Sequence, residues 1–144
     1  MNASHPNYKT RVNRLFEQAA FIAAVGIRLN DIGPGRCETV LSIEAKHLQQ
    51  DTFVHAGVQA TMADHTAGAA AKTLMGDDEI VLTVEFKINL LRPARGDCLR
   101  CRAAVLKPGR RLIIAESEVY AANGAAETLV AKAMVTLARV PANR

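Results

Sequence analysis

The chain has 144 residues, of which 49% are hydrophobic and 22% charged. This is typical of one globular domain with a substantial core, and we expect a single domain over residues 1–144. The net charge of +4 favours an anionic partner, while only 4% of the residues are aromatic, so a stacking surface for single-stranded nucleic acid is missing. Without an apolar N-terminal signal or a membrane-length apolar run, we expect a soluble, cytoplasmic protein that binds neither nucleic acid nor membrane.

The first half of the chain predicts a tail, two helices and two strands. Residues 1–7 are polar and predict a loose tail. Apolar residues recur at helical spacing over Tyr8–Ala24. Ile27–Ile32 and Glu38–Ala45 read as two strands joined by a Gly-Pro-Gly turn. Phe53–Met75 contains no proline and is apolar on all sides, which predicts a helix buried on all sides in a core.

The second half predicts only strands, over Glu79–Leu91, Leu99–Val105, Leu112–Ala121 and Thr128–Val140. Alternation in the first of these predicts that five apolar side chains share one face: Leu82, Val84, Phe86, Ile88 and Leu90. Short turns between consecutive strands indicate an antiparallel sheet. The predicted fold is therefore α+β, with an antiparallel sheet curled around the long helix.

The three cysteines predict neither a disulfide framework nor a metal site. Their number is odd, and Cys98 and Cys101 stand three apart in a strand, where side chains point to opposite faces. No second pair of metal ligands follows them in the sequence. We therefore expect no metal and no redox centre.

One carboxylate, Asp64, lies inside the apolar helix, next to His65. Burying an unpaired carboxylate costs roughly several kcal/mol. Either a partner inside the core therefore holds Asp64, or the carboxylate faces a cavity that a substrate enters. The spacing of the residues leaves both possibilities open.

The residues around Asp64 resemble a family signature. His55-Ala56-Gly57, followed by Met62-Ala63-Asp64, is similar to the His-Gly-Gly and Leu-Ala-Asp signature of the PaaI-type (4-hydroxybenzoyl-CoA thioesterase-like) acyl-CoA thioesterases. Residues 26–28, 89–94 and 109–111 are also similar to segments of that family. The resemblance implies the hot-dog fold, an antiparallel sheet wrapped around a long central helix. It also implies hydrolysis of an aryl- or short/medium-chain acyl-CoA, with no cofactor apart from the CoA of the substrate.

The resemblance also implies the roles of five residues. Thioester hydrolysis needs donors that polarise the carbonyl and a group that attacks it or activates water. Helix-start amides of Ala56 and Gly57 would supply the donors, and Asp64 would be the nucleophile or general base. Gln49 would help to place the water or the thioester, and His55 would orient the loop. Asp64 lies more than two turns beyond Ala56, and the family's arrangement implies a site completed across a dimer interface. The family's dimers and tetramers imply an obligate homo-oligomer built from dimers, either a homodimer or a homotetramer.

On the substrate side, Thr83 corresponds to a hydroxyl that some members of the family use near the site, and Asn89 is expected near the acyl pocket. Arginine grips phosphate well, so arginines at turns and strand ends are candidates for the CoA phosphates. They are Arg92, Arg95, Arg110 and Arg111. The alternative for each of them is an ordinary solvated surface arginine.

Three function classes are compatible with these residues. Asp64 and the helix-start amides favour the thioesterase. A hot-dog hydratase or dehydratase would pair Asp with His at another place in the fold, and no His lies one or two turns from Asp64 on its face of the helix. A non-catalytic hot-dog module would bind acyl-CoA without turning it over.

Overall fold

The computed structural model describes residues 1–3 and 5–142. Residue 4, in the predicted tail, and residues 143 and 144, at the end of the predicted domain, lie outside them. The elements in chain order are α1 (Tyr8–Gln18), α2 (Ala20–Val25), β1 (Arg28–Gly33), β2 (Arg36–Ser42), a 3-10 turn (Ala45–His47), α3 (Ala56–Lys72), β3 (Glu79–Leu90), β4 (Cys98–Pro108), β5 (Leu112–Asn123) and β6 (Ala126–Pro141). Within residues 1–3 and 5–142, no helix has the length and apolar character needed to cross a membrane.

The six strands form one antiparallel sheet in the order β1-β2-β4-β5-β6-β3. The chain leaves β2, crosses the sheet through α3, and enters β3 at the far edge before it returns to β4 beside β2. Because α3 is the crossover, it lies across the sheet and packs on its strands. The predicted α+β architecture, with an antiparallel sheet around a long helix, is confirmed.

α3 is buried on one side rather than on all sides. Its fully covered residues face the sheet: Gln59, Met62, Ala63, Thr66, Ala67, Ala69, Ala70 and Ala71. Ala60, Asp64 and Gly68, four residues apart on the opposite side, are only half-buried. The expectation of burial on every side is therefore wrong for the single chain, since one sheet covers one side of a helix.

The N-terminal helix predicted over Tyr8–Ala24 is two helices. Ala19 leaves the helical region, with φ −85° and ψ 85°, and separates α1 from α2. α2 then ends at Gly26, which adopts the left-handed conformation with φ 93° that glycine accepts readily. The change of direction buries Ile22 in the core and leaves Phe21 65% exposed.

β3 carries a β-bulge. Its pairing with β6 shifts register between Thr83 and Glu85, which leaves Val84 without an opposite residue. Side chains alternate along a strand, so one extra residue reverses the face to which all later side chains point. A pattern read from the sequence alone assumes no such reversal.

The bulge makes the predicted common face of β3 wrong. Leu82 lies before it and is 52% exposed on the side away from α3. Phe86 and Ile88 lie after it and point towards α3, because they oppose the buried Val135 and Ala133 of β6. The predicted set, Leu82, Val84, Phe86, Ile88 and Leu90, is thus divided between both faces.

β3 is also an edge strand with uncovered apolar side chains. Five of them are more than two-fifths exposed: Ile80 43%, Leu82 52%, Val84 58%, Phe86 41% and Leu90 51%. A 12-residue edge strand presents a row of backbone N–H and C=O groups. Apolar side chains around such an edge are typical of a surface that pairs with another strand.

Candidate active site

Asp64 is held by one hydrogen bond and is open on its other side. Its Oδ1 accepts a hydrogen bond of 2.7 Å from Oγ1 of Thr83 on β3. Among the described residues, no group hydrogen-bonds to its second carboxylate oxygen, and the residue is half-buried. The partner of Asp64 is thus an exposed hydroxyl on the edge strand β3 and not a group inside the core.

Asp64 borders two cavities. One, of about 370 Å³, lies towards the start of α3 and has apolar walls that include Phe21, Ile22 and Phe86. The other, of about 210 Å³, lies towards the end of α3 and is bordered by Leu15. The Asp64 side chain thus lies beside space that a small molecule can enter.

The bulge at Val84 builds this arrangement. In a regular strand, Thr83 and Phe86 would point to opposite faces because they are three residues apart. With the extra residue between them, the Thr83 hydroxyl and the Phe86 ring both border Asp64. Bulges often re-aim side chains next to active sites.

His65 lies between the two cavities and lines both of them. Its ring packs edge-on against Phe16 of α1, with ring centroids 4.7 Å apart. Burial lowers the pKa of His65 to about 4. Its Nε2 is buried without a hydrogen-bond partner in the described part of the chain, so the ring is neutral near pH 7.

The low pKa of His65 predicts a loss of stability in mild acid. Between pH 6.5 and 4 the unfolded chain binds a proton at this position and the folded chain does not, so the free energy of unfolding falls as the pH falls. The expected loss is about 3 kcal/mol, complete near pH 4. In His65→Phe this part of the decline should disappear in urea unfolding at a series of pH values. An unchanged slope would contradict the assignment.

The start of α3 is exposed and is capped by His55. The Nδ1 of His55 accepts a hydrogen bond of 2.8 Å from the Gly57 N–H. Of the two predicted carbonyl donors, Gly57 is therefore engaged within the chain. The Ala56 N–H has no hydrogen-bond partner among the described residues. The His55 side chain thus links residue 55 to the first turn of α3.

His47, which is not among the residues predicted from the sequence, anchors the loop before α3. Its Nδ1 accepts a hydrogen bond of 2.9 Å from the Glu44 N–H, and its Nε2–H donates to the Val25 carbonyl at 2.6 Å. Its own carbonyl accepts a hydrogen bond of 2.9 Å from the His55 N–H. Glu44 and His47 cap each other at the two ends of the 3-10 turn, and their Glu-x-x-His spacing is the sequence signal that could have identified His47.

Four predicted residues line a third cavity, of about 540 Å³, at the start of α3: Gln49, His55, Ala56 and Arg92. Gln49 Oε1 accepts a hydrogen bond from the Asp51 N–H, and Arg92 Nη1 donates to the Leu129 carbonyl at 3.0 Å. Arg95 lies over the Phe53 ring, 4.0 Å from its centroid. The loop that precedes α3 and the segment that follows β3 thus form walls of this cavity.

The predicted residues fall into separate groups within one chain. Ala56 and Asp64 are eight residues apart on α3, about 12 Å along its axis, and line different cavities. Asn89 borders none of these cavities, and its side chain accepts a hydrogen bond of 3.0 Å from Lys87 Nζ. Arg110 and Arg111 lie on the β4–β5 turn, outside these cavities as well.

The sequence matches a family model described as the Thioesterase superfamily over residues 51–128. That region includes α3, β3 and β4, and hence Asp64, Thr83 and the helix start. The match spans more than half of the chain.

Known proteins resemble this chain in fold and in sequence. A thioesterase family protein from Silicibacter pomeroyi has a crystal structure that superposes with a TM-score of 0.91 at 37% identity, over 94% of this chain and 99% of that one. The PaaI protein of Escherichia coli superposes at 0.85 with 20% identity, over 95% and 96% of the two chains. A 1,4-dihydroxy-2-naphthoyl-CoA hydrolase from Listeria monocytogenes is 24% identical, over 66% of this chain and 77% of its own length. The hot-dog fold predicted from the resemblance is confirmed.

Proposed function

This chain belongs to the thioesterase superfamily, and from that premise we propose that it hydrolyses the thioester of an aryl- or short/medium-chain acyl-CoA to the free acid and CoA. The observation that carries the proposal is Asp64, which lines a cavity and has one oxygen held by Thr83 at 2.7 Å and the other without a hydrogen-bond partner among the described residues. The name of the Listeria relative, a CoA-thioester hydrolase, supports the substrate class.

Asp64 acts in this proposal through its free oxygen. As a general base it takes a proton from water while the water oxygen bonds to the carbonyl carbon, and the C–S bond then breaks to release CoA as a thiolate that is protonated. As a nucleophile its oxygen bonds to that carbon while the C–S bond breaks and CoA leaves as a thiolate that is protonated, and water then cleaves the resulting anhydride to the free acid and the Asp64 carboxylate. Both routes need the carboxylate to be aimed, and the Thr83 hydroxyl does this.

A second copy of the chain completes the site. If β3 pairs antiparallel with β3 of a partner around Phe86, Glu85 faces the partner's Lys87, and the reverse pair forms by symmetry. Centres at residue 85 or 87 would instead place like charges opposite each other. Glu85 and Lys87 share the outer face, where they oppose Thr136 and Met134 of β6, so the two side chains can meet across this interface.

This register places the two halves of the site together. Thr83, and with it Asp64, comes next to the end of the partner's β3. The cavity at the start of α3 begins there, since Leu90, Leu91 and Arg92 line it together with Ala56. The partner's Ala56 N–H can then polarise a carbonyl that Asp64 or its water attacks. The proposed building block is thus a dimer, and association of dimers into a tetramer is part of the proposal.

The apolar cavity beside Asp64 is suited to the acyl group. Its volume of about 370 Å³ and its walls of Phe21, Ile22, Ala60 and Phe86 fit an aryl or short aliphatic chain. Arg92, Arg110 and Arg111 stay candidates for the CoA phosphates. Arg92 of the partner subunit would be the nearest of them to the thioester.

The experiment that tests this function is thiol release from a panel of aryl- and alkyl-CoA thioesters. We expect hydrolysis of at least one class by the wild type. Calorimetric binding of the same compounds without thiol release would favour the non-catalytic acyl-CoA-binding module. Addition of water to an enoyl-CoA without thiol release would favour the hydratase.

Thr83→Val is expected to lower kcat about tenfold with little change in KM, because the isosteric valine keeps the strand but removes the donor to Asp64. Thr83→Ser keeps the hydroxyl and should restore most of kcat. Steady-state kinetics with the best substrate of the panel measures both variants. Equal kcat values for wild type and Thr83→Val would show that Asp64 needs no positioning by this hydroxyl.

A further inference from the structure

A large cavity that the proposed mechanism does not use lies between α1 and the C-terminal end of α3. Its volume is about 800 Å³. Three cationic side chains line it, Arg11, Arg14 and Lys72, against a single acidic one, Asp77. The lining therefore carries an excess of two positive charges at neutral pH.

Two arginines in this cavity have donors to spare. Nε of Arg11 pairs with Asp77 at 2.9 Å, and its Nη2 donates to the Gly76 carbonyl. Its Nη1 is buried, yet no hydrogen-bond partner for it exists among the described residues. Arg14 is exposed and makes neither an ion pair nor a hydrogen bond in the described part of the chain. Buried donors left unpaired are costly, and an anion would satisfy them.

Lys72 adds to the same positive region. Its Nζ donates to the Gly76 carbonyl at 3.4 Å and to the Glu79 carbonyl. Burial, and then the nearby charge of Arg11, lower the pKa of Lys72. Arg11 and Lys72 therefore repel one another, although the carboxylates of Glu79, Asp77 and Asp78 act against this repulsion at Lys72, and a bound anion would relieve it further.

The cavity meets the Asp64 site along one side of α3. Asp64, Gly68 and Lys72 are four residues apart and share that side. A Cβ at Gly68 would meet no atom within 4 Å, so the space between the two charged residues is open. Leu15 borders both this cavity and the smaller cavity beside Asp64. Lys72 lies about 12 Å from Asp64 along the helix axis.

We propose that this cavity binds an anionic group of the substrate, a phosphate or a carboxylate, and that Arg11 and Arg14 contact it. The proposal rests on the thioesterase function proposed above. The anion has two possible sources in an acyl-CoA: the phosphates of CoA, or a carboxylate at the far end of the acyl group.

Arg14→Gln tests the site without disturbing the fold, because Arg14 is exposed and holds no other element. Lys9→Gln removes the same charge from the exposed side of α1, outside the cavity, and is the matched control. For the substrate whose anionic group this cavity binds, we expect KM to rise about tenfold in Arg14→Gln, with kcat nearly unchanged. A rise of this size corresponds to the loss of one charge-assisted hydrogen bond. If the two variants have equal KM values for every substrate, the proposal is wrong.

Four thioesters separate the two sources: an alkyl acyl-CoA, its analogue ending in a carboxylate, and both acyl groups on pantetheine, which lacks the phosphates. A rise in KM for both CoA substrates but neither pantetheine thioester would assign the site to the phosphates. A rise for the carboxylate-ended substrate on both carriers, and not for the alkyl ones, would assign it to the acyl end.

Calorimetry measures anion binding without hydrolysis, so it tests the anion site independently of the proposed thioesterase function. CoA and a medium-chain dicarboxylate are titrated into the wild type, Arg14→Gln and Lys9→Gln. If the wild type hydrolyses no thioester, the thioesterase function fails. Weaker binding of either compound to Arg14→Gln alone would still support the anion site, and equal binding to all three proteins would overturn it.

Discussion

Replacement of Asp64 by asparagine should lower kcat for thioester hydrolysis by about 10²- to 10⁴-fold, the range expected when a positioned base is lost. Asparagine has the same shape, and its carbonyl oxygen can still accept the hydrogen bond from Thr83 that the carboxylate accepts now. What disappears is the negative charge that, in the proposed mechanism, attacks the carbonyl or takes a proton from water. The fold, the cavities and substrate binding should persist.

Thiol release under saturating substrate measures this effect, and calorimetric binding of the substrate shows that the variant still binds. Asp97→Asn is the matched control, because Asp97 is exposed and lines none of the cavities around Asp64. The control should keep wild-type kcat. Should Asp64→Asn keep it as well, Asp64 would be a structural carboxylate that only ties α3 to β3.

Reversal of the charge at Glu85 should weaken the proposed dimer. In the register centred on Phe86, Glu85→Lys places lysine opposite the partner's Lys87, twice by symmetry. At about 1 kcal/mol for each pair, the dimer Kd should rise about thirtyfold. Because each proposed site needs both chains, activity at low protein concentration should fall together with the dimer fraction. Sedimentation velocity and thiol release over a dilution series measure the two quantities.

Rescue makes this prediction specific to the register. Glu85→Lys combined with Lys87→Glu in the same chain restores opposite charges across the interface, and both the dimer and its activity should return. Lys87→Glu alone should weaken the dimer as Glu85→Lys does. If the double variant is no better than the single ones, the strands pair in another register. A wild type that is fully active as a monomer would contradict the shared site.

Apart from the break at Ala19 that divides the N-terminal helix, the sequence by itself determined the kinds and order of the elements, the α+β class and the family. These properties depend on local patterns: alternation marks the strands, and the alanine-rich run ending before Gly76 marks α3. The His55-Ala56-Gly57 and Asp64 signature also needed no coordinates, because its spacing along one helix is a property of the chain. Such patterns can be recognised in a sequence because each depends on the side-chain period of a single helix or strand.

Only the tertiary structure decided which of those residues meet. The bulge at Val84 comes from the pairing of β3 with β6, and it alone puts Thr83 and Phe86 on the side of Asp64. The cavity between α1 and the end of α3 brings together Arg14 and Lys72, which are 58 positions apart in the sequence. Such contacts depend on register and packing between distant segments, and periodicity within one segment carries no information about them.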